Sequence, residues 1–193
     1  MNPGLILTLD FLPRRSAAKT GGLLVMLTSH ELFGFMSPTL AGEIVNYTYE
    51  SDKPTYKATL GAVAQARHLR PVFLERQPRA QRHEAMILTL SRPALDAVAG
   101  GLVRAWLLKK YKAMLVDFLN ELGIQNNDGV VDNLPAAMDD AKLKSAIETL
   151  LKKYPPEVVA VYLNAFNDMN EANWSNLKSI LEKDARLQLG TPA

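Results

Sequence analysis

The stretch ALDAVAGGLVRAWLLKKYKAMLVDFLNEL, residues 94 to 122, is the longest periodic segment of the chain. Its apolar residues recur with the spacing of a helix and cover more than one helix face, which is typical of a helix buried on several sides. They are Leu95, Val98, Leu102, Trp106, Leu108, Leu115, Phe118 and Leu122. As one rod the segment would be about 43 Å long. The pattern predicts a long central helix and a mainly α-helical fold.

Before this segment, serine and proline residues mark the starts of shorter helices. Ser37-Pro38 is a cap followed by proline at the first helical position. This helix is expected to end near Glu50, and the four residues 51–54 separate it from a second helix that reaches His68. The N-terminal part therefore contains two helices joined by a short turn.

Three further segments complete the N-terminal part. Pro78 is expected to open a helix that ends near Ser91. The segment PVFL, residues 71–74, is short, β-prone and bounded by prolines, and this favours a small extended element. Apolar residues alternate over residues 5–11, which indicates an edge strand or an ordered arm.

A turn-rich segment follows the central helix. Gly123 is a natural helix stop, and QNNDGVVDNLP, residues 125–135, is rich in turn-forming residues. We therefore expect a basic helical domain at 1–124, a linker at 125–135 and an acidic subdomain at 136–193. Helical periodicity predicts three helices in the last part, at about 140–154, 156–168 and 173–184.

Charge is distributed unevenly along the chain, although the net charge is only +2. Residues 1–127 contain 15 basic and 10 acidic side chains, whereas residues 128–193 contain 7 and 10. Opposite fields on one molecule favour intramolecular docking of the two regions, or head-to-tail self-association. The small total does not by itself indicate nucleic-acid binding.

The basic residues are most concentrated in RHLRPVFLERQPRAQRHEA, residues 67–85. All seven basic residues from 67 to 104 are arginine, which binds carboxylate and phosphate in a bidentate manner. We assign binding to Arg70, Arg76, Arg79 and Arg82. The favoured hypothesis is a non-catalytic binding or regulatory protein that contacts an acidic protein partner or a second copy of itself.

A nucleic-acid interface is the alternative. The helix pair at residues 38–69 resembles the general helix-turn-helix plan, in which the second helix enters the major groove. Under this hypothesis the arginines contact phosphates, and the second helix supplies the base-reading side chains Lys53, Thr55, Tyr56, Lys57 and Gln65. Lys57 is therefore added to the candidate binding residues.

A pocket protein or an unrecognised enzyme is the second alternative. Trp106, Trp174, Tyr162 and Phe166 could line a ligand pocket between helices, or could belong to the core. With three histidines and no cysteine, the sequence lacks a recognisable catalytic, metal or cofactor motif. We therefore expect no catalytic activity, no metal site and no cofactor.

The composition of the chain predicts its cellular location. The absence of cysteine excludes disulfides and thiolate chemistry. The apolar run at 97–108 is interrupted by Arg104 and is shorter than the roughly 18 residues that a membrane helix requires. We expect a cytoplasmic protein with no membrane partner.

Overall fold

Helices account for the regular structure of the residues that the structure describes. The structure is a computed structural model that describes residues 26–170 and 174–190, without the side chains of residues 169 and 170. The described residues contain no strand, and this confirms the mainly α-helical fold. Their helices are α1 Ser29–Phe35, α2 Pro38–Ser51, α3 Lys53–Ala66, α4 Pro71–Glu75, α5 Arg79–Leu90, α6 Asp96–Lys110, α7 Lys112–Glu121, α8 Asp140–Lys153, α9 Pro156–Asn170 and α10 Ser175–Lys183. The strand or arm predicted at residues 5–11 lies outside the described residues.

The central segment forms two helices, and the prediction of one long helix was wrong. Helix α6 ends at Lys110, because the φ of −114° and ψ of 25° of Tyr111 leave the helical region, and α7 begins at Lys112. The Tyr111 ring packs against Trp106 and Tyr154, with ring centroids 4.8 and 6.3 Å away. The break allows the two helices to pack on different neighbours: α6 on α1, α2 and α3, and α7 on α8.

Helices α2 and α3 confirm the predicted helix pair but not its predicted turn. Ser37 caps α2, because its hydroxyl accepts a hydrogen bond from the Leu40 amide at 3.2 Å. Only Asp52 separates α2 from α3, and its carboxylate accepts from the Thr55 amide at 3.2 Å. The four-residue turn of the helix-turn-helix hypothesis is therefore reduced to one residue that ends one helix and caps the next.

The extended element predicted at residues 71–74 is helical, so that prediction was wrong. Pro71 lies at the first position of α4, where its fixed φ suits a helix and its missing amide proton costs no hydrogen bond. The Arg76 amide donates to the Val72 carbonyl at 3.1 Å, and the buried Leu74 anchors the turn. Tertiary burial has outweighed the β-propensity of Val72 and Phe73.

The three C-terminal helices are observed close to their predicted bounds. The apolar residues whose spacing predicts these helices are buried: Leu143, Ile147, Leu150, Val159, Tyr162, Phe166, Trp174, Leu177 and Leu181. Helix α9 contacts the N-terminal part, because Asn164 accepts from the Leu27 amide at 3.1 Å and Glu157 accepts from the Ser37 hydroxyl at 2.9 Å. The buried apolar residues of both parts form one cluster.

The helices were also compared with the requirements of a membrane span. Within the described part of the chain, no single helix is long and apolar enough to cross a membrane. The segments Arg79–Leu90 and Pro93–Lys110 meet the length and composition requirement only as a pair, and the chain bends by 101° between them.

Candidate functional site

A left-handed residue sets the direction of the chain where α3 ends. His68 has a φ of 57°, a conformation that side chains other than glycine adopt uncommonly. Its amide donates to the Gln65 carbonyl at 3.0 Å, and the Leu69 amide donates to the Ala64 carbonyl at 2.8 Å. This pair of bonds is a Schellman motif, which closes the helix and turns the chain away from it. The motif places Leu69 and α4 immediately after α3.

Helix α4 presents apolar side chains to solvent. Leu69, Val72 and Phe73 are 38, 40 and 54% exposed, whereas Leu74 is fully buried. Because α4 is a single turn, it can bury only one side of the run from Val72 to Leu74. The remaining apolar side chains lie close together in sequence and are not covered by the described residues.

Two exposed arginines flank these apolar side chains. Arg70 is the N-cap residue of α4 and Arg76 is its C-cap residue. Neither guanidinium makes a hydrogen bond or an ion pair with any residue that the structure describes. We call the set Leu69, Arg70, Val72, Phe73 and Arg76 the Arg-flanked patch. It combines a small apolar surface with two cations that are available for binding.

Arg79 is engaged within the molecule. Its Nη2 donates to the carboxylate of Glu50 at 2.8 Å and also to the side-chain carbonyl of Asn46. Its guanidinium lies 4.4 Å from the centre of the Tyr49 ring, in a cation–π contact. The hydrogen bond from Arg79 lowers the pKa of the Glu50 carboxyl.

Arg82 also has intramolecular partners. Its Nε donates to the Tyr56 hydroxyl at 2.8 Å, and its Nη1 donates to the Glu75 carbonyl at 2.9 Å. Arg82 therefore joins α3, α4 and α5. The sequence predicted four equivalent binding arginines. In the structure, two of them are exposed and have no partner among the described residues, and the other two contact neighbouring helices.

An aromatic cluster lies beneath Arg79 and Arg82. Tyr49, Tyr56 and His83 meet edge to face, with ring centroids 5.0 to 5.7 Å apart. His83 is only 8% exposed, and its buried Nε2 has no hydrogen-bond partner within the described ranges. Burial lowers the pKa of His83 to about 4, and the positive charges of Arg79 and Arg82 add to this effect. Burial also raises the pKa of Tyr56.

The predicted base-reading residues of α3 differ in their availability. Tyr56 is 5% exposed and belongs to the aromatic cluster. The Lys53 ammonium lies 3.8 Å from the centre of the Tyr49 ring, and the Thr55 amide is bonded to Asp52. Lys57 and Gln65 are exposed on α3. Within the described residues, the side chains of Lys53 and Tyr56 thus contact other side chains, whereas Lys57 and Gln65 are exposed.

A second candidate site is a cavity between α6, α7 and α9. It has a volume of about 130 Å³, and Tyr162 and Phe166 are among its lining residues. The other two predicted pocket residues are core residues: Trp106 donates to Glu43 at 3.3 Å, and Trp174 donates to the Pro135 carbonyl at 2.8 Å.

The described residues bring no three histidine, aspartate or glutamate side chains together as a metal site would require. The histidine nearest to a carboxylate is His30, whose Nδ1 lies 2.7 Å from Asp96 Oδ1 and 2.9 Å from the Thr28 hydroxyl. This group joins the start of α1 to the start of α6.

The apolar members of the Arg-flanked patch were missed by sequence reasoning. One sequence feature could have predicted them: the four apolar residues Pro71 to Leu74 lie between two arginines. So short an apolar segment cannot bury all of its side chains, so some of them are expected to be exposed. Arg104, at the cavity between α6 and α9, carried no signal, because its significance depends on helices that are distant in sequence.

Comparison with known proteins provides no further assignment, because no protein-family model, no curated protein and no solved structure matches this chain.

Proposed function

We propose that this chain is a non-catalytic protein-binding module whose contact surface is the Arg-flanked patch. Its partner is an acidic protein segment that carries at least one apolar side chain. The observation that carries the proposal is the exposure of Phe73, 54%, between two arginines that have no partner among the described residues. Aromatic and arginine side chains are the residue types most enriched at energetically important interface positions.

In the described structure, no carboxylate of the acidic C-terminal part of the same chain pairs with Arg70 or Arg76. The ion pairs of this part involve other residues, because Glu148 and Asp184 both pair with Arg186. The partner is therefore another molecule. A second copy of this chain is one partner of this kind, because its acidic part could supply the carboxylates.

Peptide selection on the folded protein tests the proposal and requires no identified partner. A random peptide library is selected against the full chain, and we expect enrichment of Asp or Glu beside an aromatic or aliphatic residue. Affinity of the selected peptides is then measured by fluorescence anisotropy. In the variant with Phe73→Ser, Arg70→Ser and Arg76→Ser, we expect affinity to fall by about 100-fold or more, since each removed contact is worth about 1 kcal/mol or more.

A matched control carries Leu88→Ser and Arg92→Ser. Leu88 is 63% exposed and Arg92 is exposed, so the variant also removes an apolar side chain and an arginine from the surface. Its affinity should remain that of the unmodified protein. Equal losses in both variants, or selection of peptides without acidic residues, would overturn the proposal.

Duplex DNA provides the second arm of the experiment. Anisotropy is measured at about 50 mM and about 200 mM salt, because phosphate contacts weaken steeply with ionic strength. One outcome would overturn the proposal: no peptide is selected, and the protein binds DNA in a salt-sensitive way that is lost when Arg70 and Arg76 are substituted. The patch would then be a nucleic-acid interface.

A further inference from the structure

The cavity between α6, α7 and α9 is separate from the Arg-flanked patch. Its volume of about 130 Å³ is close to that of engineered cavities of about 150 Å³ that bind benzene. Most of the residues that line it are apolar, although backbone and Arg104 atoms make part of its surface polar. The lining residues are Arg104, Leu107, Leu108, Leu115, Leu119, Gly129, Val130, Val131, Tyr162, Ala165 and Phe166. A compact apolar group of about six carbon atoms fits this space.

The segment 129–131 forms one wall of the cavity and depends on a glycine. Gly129 has a φ of 87°, and a Cβ atom at this position would lie 3.2 Å from the Cβ of Leu115. Hydrogen bonds hold the turn: the Gly129 amide donates to the Asn126 side chain at 3.1 Å, and the Asn127 amide donates to the Val130 carbonyl at 2.8 Å. The close packing of this loop against α7 therefore requires glycine at position 129.

Tyr162, in the wall of the cavity, carries a buried polar group. Tyr162 is 3% exposed, and its hydroxyl makes no hydrogen bond within the described ranges. Burial raises its pKa, so the hydroxyl is neutral and able to donate. Because a buried hydroxyl without a partner is costly, a ligand that supplies an acceptor would gain from this position.

The cavity also includes one cation. Arg104 is exposed on α6, and its guanidinium makes no ion pair or hydrogen bond with the residues that the structure describes. A guanidinium pairs with a carboxylate through two parallel hydrogen bonds. A single arginine matches a single negative charge better than the double charge of a phosphate monoester.

We propose that this cavity binds a small monocarboxylate with an apolar body of about six carbons. The body occupies the space between the leucines and Phe166, the carboxylate pairs with Arg104, and the Tyr162 hydroxyl donates a hydrogen bond to the ligand. This site is independent of the proposed protein-binding patch, because none of its lining residues belongs to that patch.

Titration of the full chain with hexanoate, followed by amide NMR, tests the site. We expect saturable shifts at Gly129 and Val131 and none at Phe73. Hexanol has the apolar body without the charge, and acetate has the charge with almost no body. Each should bind at least about tenfold more weakly than hexanoate, since each lacks one of the two contacts.

Two variants assign the contacts. Arg104→Gln should weaken hexanoate binding by about tenfold to 100-fold and leave hexanol binding unchanged, because it removes a charge-assisted contact. Tyr162→Phe should weaken hexanoate binding while the protein stays folded, because it removes only the unpartnered hydroxyl. Arg92→Gln, at an exposed arginine outside the cavity, is the control and should bind as the unmodified protein does. Absence of saturable shifts, or equal effects of Arg104→Gln and Arg92→Gln, would overturn the proposal.

Discussion

At the scale of single residues, His83 makes the stability of the protein depend on pH. Its ring is 8% exposed, and burial lowers its pKa to about 4, below the value of about 6.5 that it has in the unfolded chain. The unfolded state then binds more protons than the folded state between these values. The stabilisation is complete above pH 6.5 and is lost as the pH falls toward 4.

The expected result is a free energy of unfolding that decreases from about pH 6.5 to about pH 4, by at most about 1.4 kcal/mol per pH unit. His83→Phe keeps an aromatic ring in the cluster and should make the dependence smaller. His68→Asn is the control, because His68 is exposed and asparagine tolerates its positive φ. Urea unfolding at several pH values measures all three proteins. If His83→Phe and His68→Asn changed the slope equally, His83 would not be its source.

At the scale of secondary-structure elements, Asp52 determines how α2 and α3 are joined. Its carboxylate caps α3 through the Thr55 amide and accepts from the Lys109 ammonium at 2.7 Å. The hydrogen bond from Lys109 lowers the pKa of Asp52. Asp52→Ala should lower the free energy of unfolding by about 1–2 kcal/mol, because it removes the cap.

Asp52→Asn separates the two contacts. An asparagine oxygen can still cap the helix, so only the ion pair with the exposed Lys109 is lost, and this should cost less than about 1 kcal/mol. Chemical denaturation gives both values. Equal losses for alanine and asparagine would mean that the ion pair, and not the cap, is the important contact.

The elements that could be predicted from sequence are those with local signals. Ser37-Pro38 defines the start of α2, Pro78 precedes α5, and regular apolar spacing defines α8 to α10. The break at Tyr111 has no local signal, because neither proline nor glycine occurs there. It depends on the Trp106 and Tyr154 rings, which are brought to Tyr111 by tertiary packing.

The candidate site was predictable to a similar extent. Arginine clustering identified the region that holds the Arg-flanked patch, but local sequence could not separate Arg70 and Arg76 from Arg79 and Arg82. That distinction depends on Tyr49 and Tyr56, which belong to α2 and α3 and lie more than 20 positions before Arg79 and Arg82 in the sequence.

At the scale of the whole molecule, the two sequence regions of opposite charge are connected by specific contacts. Helix α9 accepts hydrogen bonds from the Leu27 amide and the Ser37 hydroxyl. Lys153 of α8 forms an ion pair with Asp117 of α7 at 2.9 Å. Buried apolar residues from both regions form one cluster. The division into domains at 125–135 stays a prediction, and because of these contacts we expect the two parts to unfold together.

The two tryptophans allow a direct measurement of this cooperativity, because Trp106 lies in α6 and Trp174 immediately before α10. Fluorotryptophan labelling of the full chain gives one fluorine signal for each, assigned with Trp→Phe variants. During urea unfolding we expect both native signals to disappear with the same midpoint and slope, as a two-state transition requires. If the Trp174 signal disappeared at lower urea while that of Trp106 persisted, residues 136–193 would be an independently unfolding subdomain, and the contacts of α9 would contribute little to its stability.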